Sequence, residues 1–550
     1  MSENESDDVN GGMRHSSAHR AVLCAALITA AGLCGCDTAE RSRAQALRRG
    51  TTVEIATLDP HFFVRPEEAP VLMDLHEGLV RLDARGNVVP AVAETWSASE
   101  DGREYSFVLR DDARWSDGTP LTATDFVWSF RRLADPATLS PHAGKLAAVT
   151  NASSIAAGEL AADALGVTAV DARTLRIVLE APAPSFLPVL AHAALAPVHA
   201  ASVERYDPLP ARSGPLISNG PYVLLHRAAD RRLVELGRNS SYWAAERIGI
   251  ERVRYVAFED ELAQFTAYRV AEIDVTDGVP VSGAEIVRDQ FPGELHARPA
   301  KDTFYYVFNL REGPLADSAA LREALSAAIR REAVTAEAMQ LGEAAAYSLV
   351  PPAFAGYEPA RLAFAGVDSA AREAAARKRL ELMVAMPPRL RVVYDSSDEA
   401  GRVAAAVAAM WRQALGVEAS LTERNYAALL DVLKDPAAWD VARIPSDEKH
   451  DDPQAFLDVF ASGSPSNFAG FSDPAYDDLL ERARREPSPS RRLVLLREAE
   501  QRLLDASAVA PVFFRARRIL VKPWVEVRER APVKPLRTAD LRWAEDEEGL

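Results

Sequence analysis

Nucleophiles, metal centres and phosphate loops each require a particular residue spacing, and none of these spacings is complete in this sequence of 550 residues. His76-Glu77 begins like a zinc helix, which needs two imidazoles one turn apart and a carboxylate base, but the second histidine is missing. The stretch from Ser462 to Ser466, with Gly463 and Pro465, lacks the turn glycines that expose a nucleophilic serine. No Walker-type glycine loop is present, so the sequence offers no phosphate cradle of that kind. All three cysteines (Cys24, Cys34, Cys36) lie near the start, which leaves the rest without thiol chemistry, disulfides or cysteine metal sites. Among ten histidines, His142 and His450 are candidates for ligand contact. The expectation is a protein that is not an enzyme and needs no metal or cofactor.

The elements that would position such residues read as mixed α and β. Tyr105, Phe107 and Leu109 alternate like one face of a strand. Ser116-Asp117-Gly118 then supplies turn chemistry, and Thr122 and Asp125 stand at capping-box spacing. Phe126, Val127, Phe130 and Leu133 follow at helical spacing, and Pro136 ends the run. Further strands are expected at Thr51–Leu58, Asp171–Glu180 and Val253–Val256, with a hairpin from Asn219 to Leu236. A helix over Pro70–Leu79 is also expected. The helix Glu259–Ala271 should cross to a parallel strand at Glu272–Val275. A second α/β pattern starts near residue 297, with a strand at Phe304–Asn309 and a strand-helix-strand unit over Leu390–Leu421 capped by Gly416.

Length allows several cores, and 48% hydrophobic with 26% charged residues is an ordinary globular balance. The net charge of −17 and the absence of a basic cluster argue against nucleic acid as a partner. Ala21–Leu33 is an apolar stretch too short to span a bilayer, following Arg14 and Arg20, and reads as a leader. Leu33-Cys34-Gly35-Cys36 resembles a lipobox in which Cys36 becomes the acylated N-terminus, and Asp37 resembles an inner-membrane retention signal. An ordinary secretory cleavage is the alternative.

Order of residues adds what periodicity cannot. The run Arg114-Trp115-Ser116-Asp117-Gly118-Thr119-Pro120, with Asp125-Phe126-Val127 and Asp135-Pro136, resembles the oligopeptide-binding proteins, the family 5 solute-binding receptors of ABC importers. The likeness extends through Leu58-Asp59-Pro60, Glu77-Gly78-Leu79, Tyr242-Trp243, Asp440-Val441-Ala442-Arg443, Ala510-Pro511 and Lys522-Pro523-Trp524. It implies an α/β fold, a two-lobed periplasmic-binding-protein-like clamp (type II) with an additional N-terminal domain. The implied layout is a signal peptide over 1–36, a tether over 37–50, the first lobe over 51–80, 186–296 and 519–550, the small additional domain over 81–185 and the second lobe over 297–518.

The resemblance also implies a ligand strip. Arg443 matches an arginine that meets a ligand carboxylate in relatives, and a guanidinium fork suits that task; a structural ion pair is the alternative. Counted without gaps, the positions where relatives carry an aromatic residue and an ammonium-binding aspartate hold Ser446 and Lys449. Asp447 and Asp451 beside them offer a slipped register. Asp277 and Gly278 replace a usual polar pair on the facing strand, and His142 and His450 complete the candidate set. A lysine in place of the aspartate would favour ligands with a blocked or displaced amine. The implied function is a lipid-anchored periplasmic receptor, monomeric, that hands peptides or peptide-like ligands to an inner-membrane ABC permease and its ATPase subunits. A non-peptide ligand on the same fold, or a sensory receptor without transport, is the alternative.

Overall fold

The structure is a computed structural model that describes residues 46–83, 86–183, 185–206, 216–354, 356–381, 389–444, 452–486, 488–528 and 536–544. Two compact units divide the chain at residue 47, and within the first only Ala46 and Leu47 are described. The strands are β1 (Leu47–Thr51), β2 (Val80–Leu82), β3 (Val88–Pro90), β4 (Ala93–Ala98), β5 (Glu104–Leu109), β6 (Val167–Ala169), β7 (Thr174–Val178), β8 (Tyr222–Arg227) and β9 (Leu233–Arg238). Then follow β10 (Arg252–Ala257), β11 (Leu295–Phe308), β12 (Ala344–Ala345), β13 (Leu390–Asp395), β14 (Ala419–Arg424), β15 (Val441–Arg443), β16 (Val509–Leu520), β17 (Val525–Val527) and β18 (Leu541–Trp543).

Three larger sheets and two two-stranded pairs, β2-β3 and β17-β18, organise them. β4-β5-β7-β6 is antiparallel and packs the alternating face of Tyr105, Phe107 and Leu109 against Phe126, Phe130 and Leu133 of the helix Ala123–Ala134. That helix starts where the sequence predicts, because the Asp125 carboxylate accepts from both the amide (2.7 Å) and the hydroxyl (2.8 Å) of Thr122. The second sheet runs β1-β10-β9-β8. The third runs β12-β16-β11-β15-β13-β14, with β13 parallel to both β14 and β15. The crossover from β13 to β14 is the helix Asp398–Leu415, stopped by Gly416 at φ +69°. Its apolar face, Val403, Val407 and Trp411, joins Phe304, Tyr306 and Val392 in one core.

Three expected elements differ, two of them because side chains take over backbone bonding. The strand expected from Thr51 ends there: Thr52 N–H goes to Asp277 (2.9 Å) and Ala56 N–H to Glu68 (2.8 Å) instead of to a neighbouring strand. The expected strand Glu272–Val275 is reduced to isolated bridges at Val275, parallel to Arg49 and antiparallel to Val521. There the buried Asp274 carboxylate binds Arg48 through its amide (2.8 Å) and guanidinium (2.7 Å). The helix expected to reach Leu79 is Ala69–Leu75, because His76 turns extended and Gly220 N–H takes the Leu75 carbonyl at 2.8 Å.

Candidate functional site

In open α/β sheets the useful edge is the one where strands end and helices begin, since backbone groups and side chains project there unpaired. In the six-stranded sheet β13 ends at Asp395 and β15 at Arg443, and the two strands are parallel neighbours. Their last side chains meet, with Arg443 Nη1 donating to Asp395. The Arg443 side chain is 3% exposed, and its guanidinium carbon lies 4.9 Å from the Phe304 ring centre. Burial, with Arg515 nearby, lowers the Arg443 pKa, and Asp395 opposes that shift.

A second guanidinium reaches the same ring. Arg515 on β16 lies 6.0 Å from the Phe304 centroid and donates to Asp302 (3.0 Å) and to Glu399. Burial pulls the Arg515 pKa down, but Glu399 and Asp302 outweigh it and the net shift is upward. A slip in the β11–β16 ladder positions Asp302. Pro299 pairs with Ala516 and Thr303 with Phe514, so Ala300, Lys301 and Asp302 oppose Arg515 alone. Glu399 stands in the first turn of the helix Asp398–Leu415, where a carboxylate suits the helix dipole.

The other wall comes from the segment after β10. Asp260 caps the helix Glu261–Arg269 by accepting from Ala263 N–H at 2.7 Å. Asp277 accepts from Thr52 N–H (2.9 Å) and Gln264 Nε2 (2.7 Å), and burial raises its pKa against those bonds. Gly278 lies against Glu261: a β-carbon there would be 2.5 Å from Glu261 Oε1 and would make that side chain move. Three residues on, Val281 enters the core that holds Phe304, Ala400 and Val403, so this wall meets the six-stranded unit beside Glu399.

Several sequence-predicted residues are thereby located. Arg443 sits in the ion pair with Asp395, while Asp277 and Gly278 sit beside Gln264 and Glu261. His142 lies elsewhere: its Nε2 is 2.7 Å from the Phe63 carbonyl, and its ring is 5.3 Å from that of His192. Ser446, Asp447, Lys449, His450, Asp451 and Cys36 fall outside the described residues. Asp302, Asp395, Glu399, Arg515 and Glu261 escaped the sequence reading. Asp395 alone left a signal, an acid directly after the apolar run of a strand in a βαβ unit. Among the described residues no group of three or more His, Cys, Asp or Glu could hold a metal, and no helix is long and apolar enough to cross a membrane.

The profile of the bacterial extracellular solute-binding proteins, family 5 Middle, matches residues 87–468. This chain is a member of that family. It is 36% identical over 487 residues to the periplasmic murein peptide-binding protein MppA of Escherichia coli strain K12, covering 88% of this chain and 90% of that protein. It is 33% identical over 512 residues to the periplasmic oligopeptide-binding protein OppA of Salmonella typhimurium strain LT2, covering 92% and 93%. The unliganded open form of MppA superposes with a TM-score of 0.80 at 34% identity, over 91% of this chain and 97% of that one. The OppA of Burkholderia pseudomallei superposes at 0.72 and 30% identity, over 91% and 99%. This family 5 protein therefore has the α/β, two-lobed type II periplasmic-binding-protein fold with an additional N-terminal domain.

Proposed function

We propose that this chain is a lipid-anchored periplasmic receptor that binds peptides between its two lobes and delivers them to an inner-membrane ABC permease. The observation that supports the reading is the cluster at the strand ends and helix start of the six-stranded sheet, where Arg443 pairs with Asp395 and Arg515 with Glu399, with Asp277 and Gly278 held beside Gln264 and Glu261 on the segment after β10. The relatives named above, one called murein peptide-binding and one oligopeptide-binding, support a peptide as the ligand. A peptide laid between two such edges bonds through its main chain and tolerates varied side chains. Arg443 acts here as a positioning residue, holding the end of β15 through its pair with Asp395, and Ser446, Asp447, Lys449, His450 and Asp451 stay candidate ligand contacts outside the described residues. Residues 81–185 form the additional domain, 51–80, 186–296 and 519–550 the first lobe, and 297–518 the second.

Calorimetry with peptides of two to five residues tests the reading. Saturable binding of at least one peptide class at micromolar or tighter Kd is expected, and no binding across the set overturns it. Metabolic labelling with a palmitate analogue tests the anchor. Label on the wild type and none on Cys36→Ser is expected, and label that persists in Cys36→Ser excludes Cys36 as the acylated residue.

A further inference from the structure

The long strands β11 and β16 each run from one buried core into another. One core holds Phe304, Leu325, Val403 and Phe513, and among the described residues all its buried members lie within 297–518 except Val281. The other holds Phe265, Tyr268, Val287 and Leu520, and all its buried members lie outside that range except Leu341. Each core therefore contains a single residue from across the lobe boundaries proposed above. Neither of these two residues is on β11 or β16. Val279 belongs to one core and Val281 to the other, and Met339 and Leu341 are divided in reverse. The chain thus dips across twice more, each time within two residues.

Local structure holds both side chains where they are. Val281 is 9% exposed and opens the short turn Val281–Gly283, closed by Gly283 N–H on the Pro280 carbonyl at 2.9 Å. Leu341 is 1% exposed and follows Gln340, whose φ is +62°. The Glu343 carboxylate accepts from Leu341 N–H (3.2 Å) and from Arg518 of β16 (2.6 Å), which ties this loop to a strand that itself crosses. Gly342, at φ +102°, comes so near β11 that a β-carbon there would be 2.7 Å from that of Ala297. Beside Leu341, Arg288 Nη1 donates to Gln340 Oε1 at 3.1 Å, a bond that also joins the two ranges. A packed apolar side chain cannot leave its seat by degrees, because a small gap already forfeits much of its contact. Two such seats favour a discrete arrangement of the lobes over a free swing.

We propose that Val281 and Leu341, each seated in the core of the opposite lobe, form a reciprocal joint that holds the lobes in this arrangement. The inference uses the lobe boundaries proposed above, goes beyond the peptide reading and does not depend on what the cleft binds. A ligand that favours another arrangement must act against the joint, so these buried side chains tune the population available to it.

The test is small-angle X-ray scattering from the full chain, refolded from guanidinium chloride to remove co-purified ligand and measured with no peptide added. Leu341→Ala and Val281→Ala each empty one crossed seat. Leu325→Ala empties a fully buried position inside a single core and serves as the control. Both seat variants should shift the radius of gyration and the pair-distance distribution away from the wild type by more than the experimental error, whereas Leu325→Ala should leave both unchanged. Leu341→Met, which keeps an apolar side chain of similar volume, should scatter as the wild type does. Melting curves check that every variant is folded at the temperature of measurement, and Leu341→Val takes the place of an alanine variant that is not. A profile of either seat variant that overlays on the wild type, or an equal shift in Leu325→Ala, overturns the joint. No ligand enters the measurement, so that result leaves the peptide reading standing.

Discussion

Glu500 is fully buried and accepts from the amides of Leu349 (2.9 Å), Val350 (2.7 Å) and Ala360 (2.8 Å) and from the hydroxyl of Tyr357 (2.8 Å). Desolvation outweighs those bonds and pushes its pKa up to about 7. A raised carboxyl pKa means the fold holds the proton more tightly than the unfolded chain does. The stabilisation is present below the unfolded pKa and is lost as pH rises through about 7. The shift from 4.5 to about 7 corresponds to roughly 3 kcal/mol. His61 works in the opposite sense: burial, offset in part by Asp59, lowers its pKa to about 4, so its contribution is lost as pH falls from about 6.5 toward that value. Urea midpoints measured from pH 8 to pH 5 should separate the two. Glu500→Gln should remove a component that gains stability on acidification, and His61→Gln one that loses it. An unchanged pH slope in either variant contradicts that group's assignment.

At the scale of single elements, two helix ends should respond in proportion to what they lose. Asp125→Ala removes both acceptor bonds at the start of the helix Ala123–Ala134 and should cost about 1 kcal/mol, with Thr122→Ala costing less. Gly416→Ala meets no atom within 4 Å, so its cost, also about 1 kcal/mol, comes from the positive φ alone. Chemical denaturation at one pH measures all three; a Gly416→Ala protein as stable as wild type would contradict the backbone argument. These ends were legible in the sequence because each is written within a few consecutive residues. So were β5, β7, β10 and β13, whose alternation survives in the burial of Tyr105, Phe107, Leu175, Ile177, Val253, Tyr255, Leu390 and Val392. The strand expected at Thr51–Leu58 was not legible, since its donors turn to Glu68 and Asp277, and nothing local announces an acceptor 225 residues away. The charged network was hidden for the same reason. Asp302 and Arg515 are 213 residues apart and meet only because a ladder slip on β11 brings three residues opposite one.

At the scale of the whole molecule, the fold follows from family membership. Resemblance placed Arg443 at the end of its strand, and the structure adds that its charge is already answered by Asp395. A ligand with better contacts in a closed arrangement must shift the lobes toward that arrangement, because binding biases whichever state it fits. The most direct test of peptide capture is native mass spectrometry of receptor purified without denaturation from a periplasmic fraction, with the released mass fragmented in the same run. The account predicts a family of adducts that fragment as peptides. A single adduct that yields no amide-bond fragments, present on most molecules and not displaced by any added peptide, would contradict it.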